Sequence, residues 1–447
     1  MQMIKHFLKY ISIFFITVVL LTGLLVASAK IPQSSVRENV KESAEYLCEG
    51  KLFGTVVSGA EGSRIDRYAD SILLAIAWQY DSEHPLRSVM WSSYYYTDYQ
   101  NENDNLFDAV TNMYEPNCQY MRYWHGSIAV VRPLLVIFNI QKIYILNGII
   151  MIILTLYLAA VMIKNRMYVP AIGVAAGLII TAFWFVPYSL EYTWTYLIML
   201  LMSVIGVKLA LSGKWNCMGI YFLIGGIVTN YMDFLTTETL TLTVPLLLIC
   251  RIRFHESKNT PDSHKNTSDS HKNIPESHIW EFPGMAALSW GTGYIGMWVM
   301  KWIIASVVLH ENMMPYISGH IGERLGGDIG ISQWSYIFGA VWNNVKCLFP
   351  FGYGSAGVIA GIVLVIFALY LVYVYHRKHI CKEHVLLYAL IGIVPYIRYI
   401  ILHNHSYLHC FFTYRAQFAT VLAIVLIMEE LSDWRWLVHD DNRRRKP

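Results

Sequence analysis

YISIFFITVVLLTGLLVASA, residues 10–29, is the run on which the architecture turns. It is apolar throughout and carries no charge, and about 20 such residues in a helix match the thickness of a bilayer's hydrocarbon core. Lys5, His6 and Lys9 precede it, which predicts that this end stays on the cytoplasmic side. The run closes on Ala27-Ser28-Ala29, a triplet like a signal-peptidase site. Its length exceeds the apolar core of a signal peptide, so a retained first helix is expected. On either account the chain from Ile31 onward lies outside.

Composition agrees with a membrane class. Hydrophobic residues make up 55% of the 447 positions and charged residues only 15%, well below the charge of a soluble domain. The 14 Trp, 31 Tyr and 19 Phe suit a chain with many helix ends at membrane–water boundaries. A net charge of +3 argues against nucleic acid as a partner. The seven cysteines form no CxxC pair, so neither a zinc site nor a disulfide framework is readable. Cys48 and Cys118 share the first outer segment and are a possible pair.

Downstream, residues 30–141 read as a long extracytoplasmic loop with interfacial or re-entrant helices, since 30–119 hold no spanning run. Within it lies GSRIDRYADSILLAIAW, residues 62–78. The apolar spacing after Asp70 predicts a helix, and Asp66 and Asp70, four apart, would share one face of it. Two carboxylates at the membrane surface suit general-base work on a lipid-linked substrate; equally, Asp70 would cap the helix and Asp66 solvate the turn before it. An aromatic tract, Trp91 to Tyr99, and the polar run Gln100 to Asn105 follow. Flat rings beside amides and carboxylates suit a sugar, and also a surface strand with interfacial tyrosines. The apolar run 127–138 is short and broken by Arg132-Pro133, so it predicts a helix in the interface. Arg122 and Arg132 would lie at headgroup depth, beside His125, placed either for a substrate phosphate or for ordinary snorkelling.

Hydropathy and loop charge predict nine further spans, at about 143–163, 169–186, 195–211, 218–233, 235–250, 283–309, 358–375, 384–402 and 411–428. Spans two to six occupy residues 142–253, and Glu191 lies in the outer turn between the third and fourth. Residues 254–281 read as a disordered cytoplasmic linker, because the Ser-His-Lys-Asn that opens Ser263 to Asp269 recurs at the start of Ser270 to Glu276, like a slipped tandem duplication. Spans seven to ten fill 282–430 with an outer loop near 310–355, and 431–447 form a basic tail ending in Arg443-Arg444-Arg445-Lys446. The expected fold is thus an all-α polytopic membrane protein of about ten spans, in the cell membrane, with both termini cytoplasmic.

Polar residues at the outer ends of spans carry the functional signal. Asp233 and Glu238 fall in the tight turn between the fifth and sixth spans. Lys301 interrupts the seventh and is placed to snorkel, to pair with Asp233 or to meet a substrate phosphate. His405 and His409 are i,i+4, a spacing that can hold a metal, although no HExxH accompanies them. A divalent metal is therefore possible; hydrogen bonding to phosphate or sugar, with Arg415 as a phosphate clamp, is an equal use of the same residues, and so is plain capping of the helix end by interfacial histidines.

One transmembrane helix, a long outer loop with acids near its start, interfacial helices and a bundle of further spans: this plan resembles the GT-C superfamily of integral-membrane glycosyltransferases over most of the chain. The segments Tyr120 to Gly126, Met232 to Thr236 and Asn404 to Arg415 also resemble those of multi-spanning membrane proteins of Gram-positive bacteria. The first resemblance implies a sugar donor on a polyprenyl phosphate and a cell-envelope acceptor. It further implies Asp66 or Asp70 as the base, and Arg and Lys groups that stabilise the leaving phosphate. The usual loop signature of that superfamily has its two acids adjacent or one apart. Here the spacing is DxxxD, which leaves open which acid is the base. Two other classes fit a polar outer cavity: a transporter or flippase of a lipid-linked or polar substrate, and a non-catalytic envelope assembly protein. No internal repeat of the kind common in transporters is visible.

Overall fold

The computed structural model describes residues 2–233, 235–258, 279–316, 318–319, 332–377 and 380–433. The tandem repeat in the linker and the basic run 443–446 lie outside them. The chain is largely helical, and among the described residues seven helical stretches are long and apolar enough to cross a membrane. They are Phe7–Ala29, Ile140–Lys164, Leu190–Leu211, Glu281–Leu309, Gly354–Val374, Lys382–Ile401 and Cys410–Leu431.

This corrects the expected ten. The expected third span is a 13-residue helix, Tyr168–Ile180, that stops before Ala182, whose φ of 49° lies in the left-handed region. A 3-10 segment containing Pro187 follows. The fifth is only 15 residues, Met218–Met232, and ends where the backbone turns extended at Asp233. The sixth, Leu240–Lys258, starts late and runs into the charged sequence RIRFHESK, so its apolar half is too short. All three remain packed within the bundle. Gly226, on the 218–232 helix, lies so close to the backbone of Trp290 on helix 281–309 that a Cβ would collide.

The first helix, α1 (Gln2–Ala29), leads into the extramembrane region. There α2 (Gln33–Cys48) is amphipathic: Val36, Val40, Ala44 and Leu47 are buried, while Arg37, Glu38 and Glu42 face outward. A short hairpin pairs β1 (Phe53–Thr55) with β2 (Arg64–Asp66) and delivers the chain into α3 (Arg67–Trp78). From Asp70 to Trp78 every residue of α3 is buried. It lies among α2, α4 (Pro85–Trp91), α5 (Glu102–Asn112) and α6 (Ile128–Leu134) on one side and the bundle on the other. Each of its large apolar side chains contributes about 1.5–3 kcal/mol by leaving water. A second hairpin, β3 (Ser93–Tyr94) with β4 (Cys118–Gln119), closes this layer.

The bundle follows as α7 (Ile140–Lys164), α8 (Tyr168–Ile180), α9 (Leu190–Leu211), α10 (Met218–Met232), α11 (Leu240–Lys258) and α12 (Glu281–Leu309). After them come α13 (Gln333–Lys346), α14 (Gly354–Val374), α15 (Lys382–Gly392), α16 (Val394–Ile401), α17 (His403–Leu408), α18 (Cys410–Thr413) and α19 (Phe418–Leu431). The face away from α3 gathers basic residues. There Arg251 pairs with Glu429 at 2.8 Å, His384 meets Glu430 at 3.3 Å, and Arg253 lies over the rings of Trp215 and Phe282.

Candidate functional site

Asp66 is the last residue of β2 and the N-cap of α3, its Oδ1 accepting the Ala69 N–H at 2.9 Å. Because the cap turns its side chain back over the first turn, Asp66 and Asp70 do not act on one face. Asp66 points into a cleft of about 570 Å3 lined also by Phe53, Tyr68, Tyr120, His125, Glu191, His405, His409 and Phe412. The cleft opens where spans begin: Glu191 is the second residue of α9, and His409 directly precedes the span Cys410–Leu431.

The carboxyls of Asp66 and Glu191 both line this cleft, near enough to share a proton. Two carboxyl groups can bond to one another only through a proton held between them. Burial pushes Asp66 up to about 6, against the opposing pull of the Ala69 N–H and of the proton shared with Glu191. Oε2 of Glu191 is buried with no hydrogen-bond partner among the described residues. A base poised near neutrality and an acceptor oxygen with spare capacity therefore face the same small space.

Across the cleft, the imidazoles of His405 and His409 lie 4.8 Å apart, and His409 stacks on Phe412 at 5.2 Å. His125 sits in the left-handed region at φ 52°, a conformation that costs a non-glycine residue about 1 kcal/mol. It is held there by Tyr231, whose carbonyl accepts the N–H of Gly126 at 2.9 Å and whose ring leaves no room for a Cβ on Gly126. Its Nε2 lies 2.9 Å from the Tyr120 carbonyl, and burial lowers its pKa to about 3, so the ring is neutral.

Four of the ten residues singled out from the sequence thus line one cleft: Asp66, His125, His405 and His409. The structure places the other six elsewhere. Asp70 is fully buried and accepts from the Tyr144 hydroxyl, the Leu190 N–H at 2.9 Å and the Ser189 hydroxyl at 3.3 Å. It ties α3 to α7 and to the start of α9, and burial pushes it up to about 8 despite those donors. Arg122 lies beside the cleft, its guanidinium 4.2 Å from the Tyr120 ring centre and 3.0 Å from that tyrosine's hydroxyl. Arg132 donates to the carbonyls of Ile31 at 2.8 Å and Tyr80 at 3.2 Å, pinning α6 to the end of α1. Asp233 caps its own turn, accepting from the N–H groups of Leu235 and Thr236. Lys301 does not meet Asp233: its Nζ donates to the carbonyls of Val89 at 3.0 Å and Met90 at 3.2 Å, anchoring α4 to α12. Arg415 donates to Phe411 and Gly62 carbonyls and lies over the rings of Tyr192 and Tyr414.

Asp70→Asn is expected to act on stability, not on the cleft. It replaces Oδ2, which accepts the Tyr144 hydroxyl, by an NH2 that cannot accept, at a cost of about 1–3 kcal/mol. Denaturant titration of the purified variant in detergent measures it. An unchanged midpoint would contradict this placement.

Glu191 is the residue the sequence reading did not select. It is an acid in the first turn of an apolar helix, where a negative charge also complements the helix dipole. Its partner lies far back in the chain, so no local spacing points to the pair. Among the described residues, no group of three or more His, Cys, Asp or Glu side chains is arranged to hold a metal ion. Cys48 and Cys118 are both free thiols, and Cys48 Sγ lies 3.6 Å from Asp104 Oδ1.

No protein-family model, curated protein or solved structure matches the chain. The fold settles the class. This is a multi-pass, helical membrane protein with a polar, aromatic-lined cleft at the level where its spans emerge.

Proposed function

We propose that the chain is an integral-membrane glycosyltransferase of the GT-C kind, moving a sugar from a polyprenyl-phosphate donor to a cell-envelope acceptor on the outer face. The observation that carries this reading is the neighbouring carboxyls of Asp66 and Glu191 in an aromatic-lined cleft level with the ends of the spans. A donor whose prenyl chain lies in the bilayer presents its sugar at that level. The rings of Phe53, Tyr68, Tyr120 and Phe412 offer faces for the sugar's C–H groups. In this reading the basic face and both termini are cytoplasmic.

In the proposed reaction Asp66 takes the proton of the acceptor hydroxyl as its oxygen bonds to the anomeric carbon. The bond from that carbon to the phosphate oxygen breaks, and its electron pair leaves with the phosphate. His405 and His409, on the same cleft, would donate to that oxygen as charge develops. Glu191 keeps the proton of the pair and donates a hydrogen bond through it to the Asp66 carboxylate, orienting it, and Asp66 returns the proton taken from the acceptor to solvent when product leaves.

The test is transfer from a panel of radiolabelled polyprenyl-phosphate sugars by the purified chain in liposomes, followed against pH. Asp66 works as a base only when deprotonated, so kcat/KM is expected to rise with pH and to reach half its plateau near 6. A rate that is flat or falling between pH 5 and about 7 would remove Asp66 from the role of base.

A further inference from the structure

A second cleft, of about 930 Å3, lies beside the first and is lined by Glu61, Lys346, Cys347, Phe351 and Cys410 among others. Cys347 follows α13 and is buried; Cys410 opens the last span and is half-buried. Both line this cleft, and α13 packs on α18, the short helix that Cys410 opens. This pair is joined to the Asp66 segment by backbone. The carbonyl of Cys347 packs against Gly62 so closely that a Cβ there would collide. The carbonyl of Gly62 in turn accepts from the Tyr414 hydroxyl at 2.9 Å and from Arg415 at 3.3 Å. Gly62 lies four residues before Asp66, and Cys410 directly follows His409. The ends of α13, the histidine segment and the strand leading to Asp66 therefore meet around these two sulfurs.

We propose that Cys347 and Cys410 form a dithiol–disulfide couple on the outer face, oxidised by a disulfide-bearing partner, and that the resulting bond fixes the histidine segment against the Asp66 hairpin. The placement on the outer face rests on the sidedness proposed above; the pairing itself does not. The step balances as thiol–disulfide exchange. The accessible Cys410 thiolate attacks the partner's disulfide and releases one partner thiolate. Cys347 then attacks the mixed disulfide, forming the Cys347–Cys410 bond and releasing the second. Two electrons and two protons pass to the partner, which departs as a dithiol. Disulfides persist in extracytoplasmic compartments, and closing so long a stretch of chain restricts the unfolded state strongly.

The experiment uses the full chain in detergent with oxidised glutathione as the disulfide, and non-reducing peptide mass spectrometry as readout. Wild type is expected to yield a peptide linked through Cys347 and Cys410 and to melt several degrees higher when oxidised. Cys347→Ser is expected to keep glutathione on Cys410 instead, with no rise. Wild type that accumulates only glutathione adducts, or leaves both thiols unreacted, would overturn the pairing. Sidedness is read separately, by a membrane-impermeant maleimide on intact cells expressing Cys347→Ser. Labelling of Cys410 supports the outer location, and protection until the cells are opened would overturn that part alone.

Discussion

Asp66→Asn is expected to lower transfer about a thousandfold, within the 10²–10⁴ range of a lost general base, while leaving the fold intact. Asparagine is as good an N-cap as aspartate, so the bond from the Ala69 N–H that starts α3 is retained. The lost element is the basic oxygen, and the Asn amide can donate to Glu191. Initial rates of purified wild type and variant with the same donor measure the effect, and melting in detergent controls for folding. A variant that keeps a tenth or more of the wild-type rate would show that Asp66 is a cap and nothing else.

Arg398→Met is expected to produce the largest loss of stability. Arg398 and Glu238 are both buried, and their pairing is bidentate: Nε to Oε1 at 2.6 Å and Nη2 to Oε2 at 3.1 Å. Nη2 also reaches the carbonyl of Leu235, and Nη1 the Ser406 hydroxyl at 3.4 Å. The arginine thus locks α16 to the turn before α11 and to the helix that carries His405. Removing one partner of a buried pair leaves an uncompensated charge, at a cost of about 3–5 kcal/mol. Replacing both at once, Arg398→Met with Glu238→Leu, is expected to recover much of that loss, because the desolvation penalty disappears with the charge. Denaturant curves for the single and double variants check it. Equal destabilisation by both would mean that the hydrogen bonds to Leu235 and Ser406, not the ion pair, hold the turn.

How much of this was legible depended on whether the relevant forces were local. The first helix and the run of spans follow from hydropathy, and the apolar spacing after Asp70 marks α3. Helix breaks were less visible. A hydropathy window passes over Ala182 in the left-handed region, because that break comes from backbone geometry in a segment that remains apolar. The fifth and sixth stretches divide at the expected turn near Asp233, and neither keeps an apolar helical run long enough to span.

At the site the i,i+4 rule suggested one face for Asp66 and Asp70. The helix begins only at Arg67, however, so Asp66 stands outside it as a cap and points elsewhere. His405 and His409 carried a readable signal, a helical repeat of polar rings at the end of a span. Glu191 carried none that singled it out, since its significance comes from Asp66 across the fold. By charge and depth Arg132, Lys301 and Arg415 suit phosphate. Buried cations equally satisfy stray carbonyls at helix ends, and here they donate to the backbone of Ile31, Val89 and Gly62. Sequence alone cannot separate these two uses of a cation.

The most direct test of the account is where a donor sits. A polyprenyl-phosphate sugar carrying a photoreactive diazirine on the sugar, cross-linked to the chain in liposomes and mapped by peptide sequencing, reports this without requiring turnover. The account predicts labelling within Phe53 to Leu73 and His405 to Phe412, suppressed by excess unlabelled donor. Labelling confined to the polar surface around Asp81 and Arg87, or to the lipid-facing helix Gly354–Val374, would contradict it.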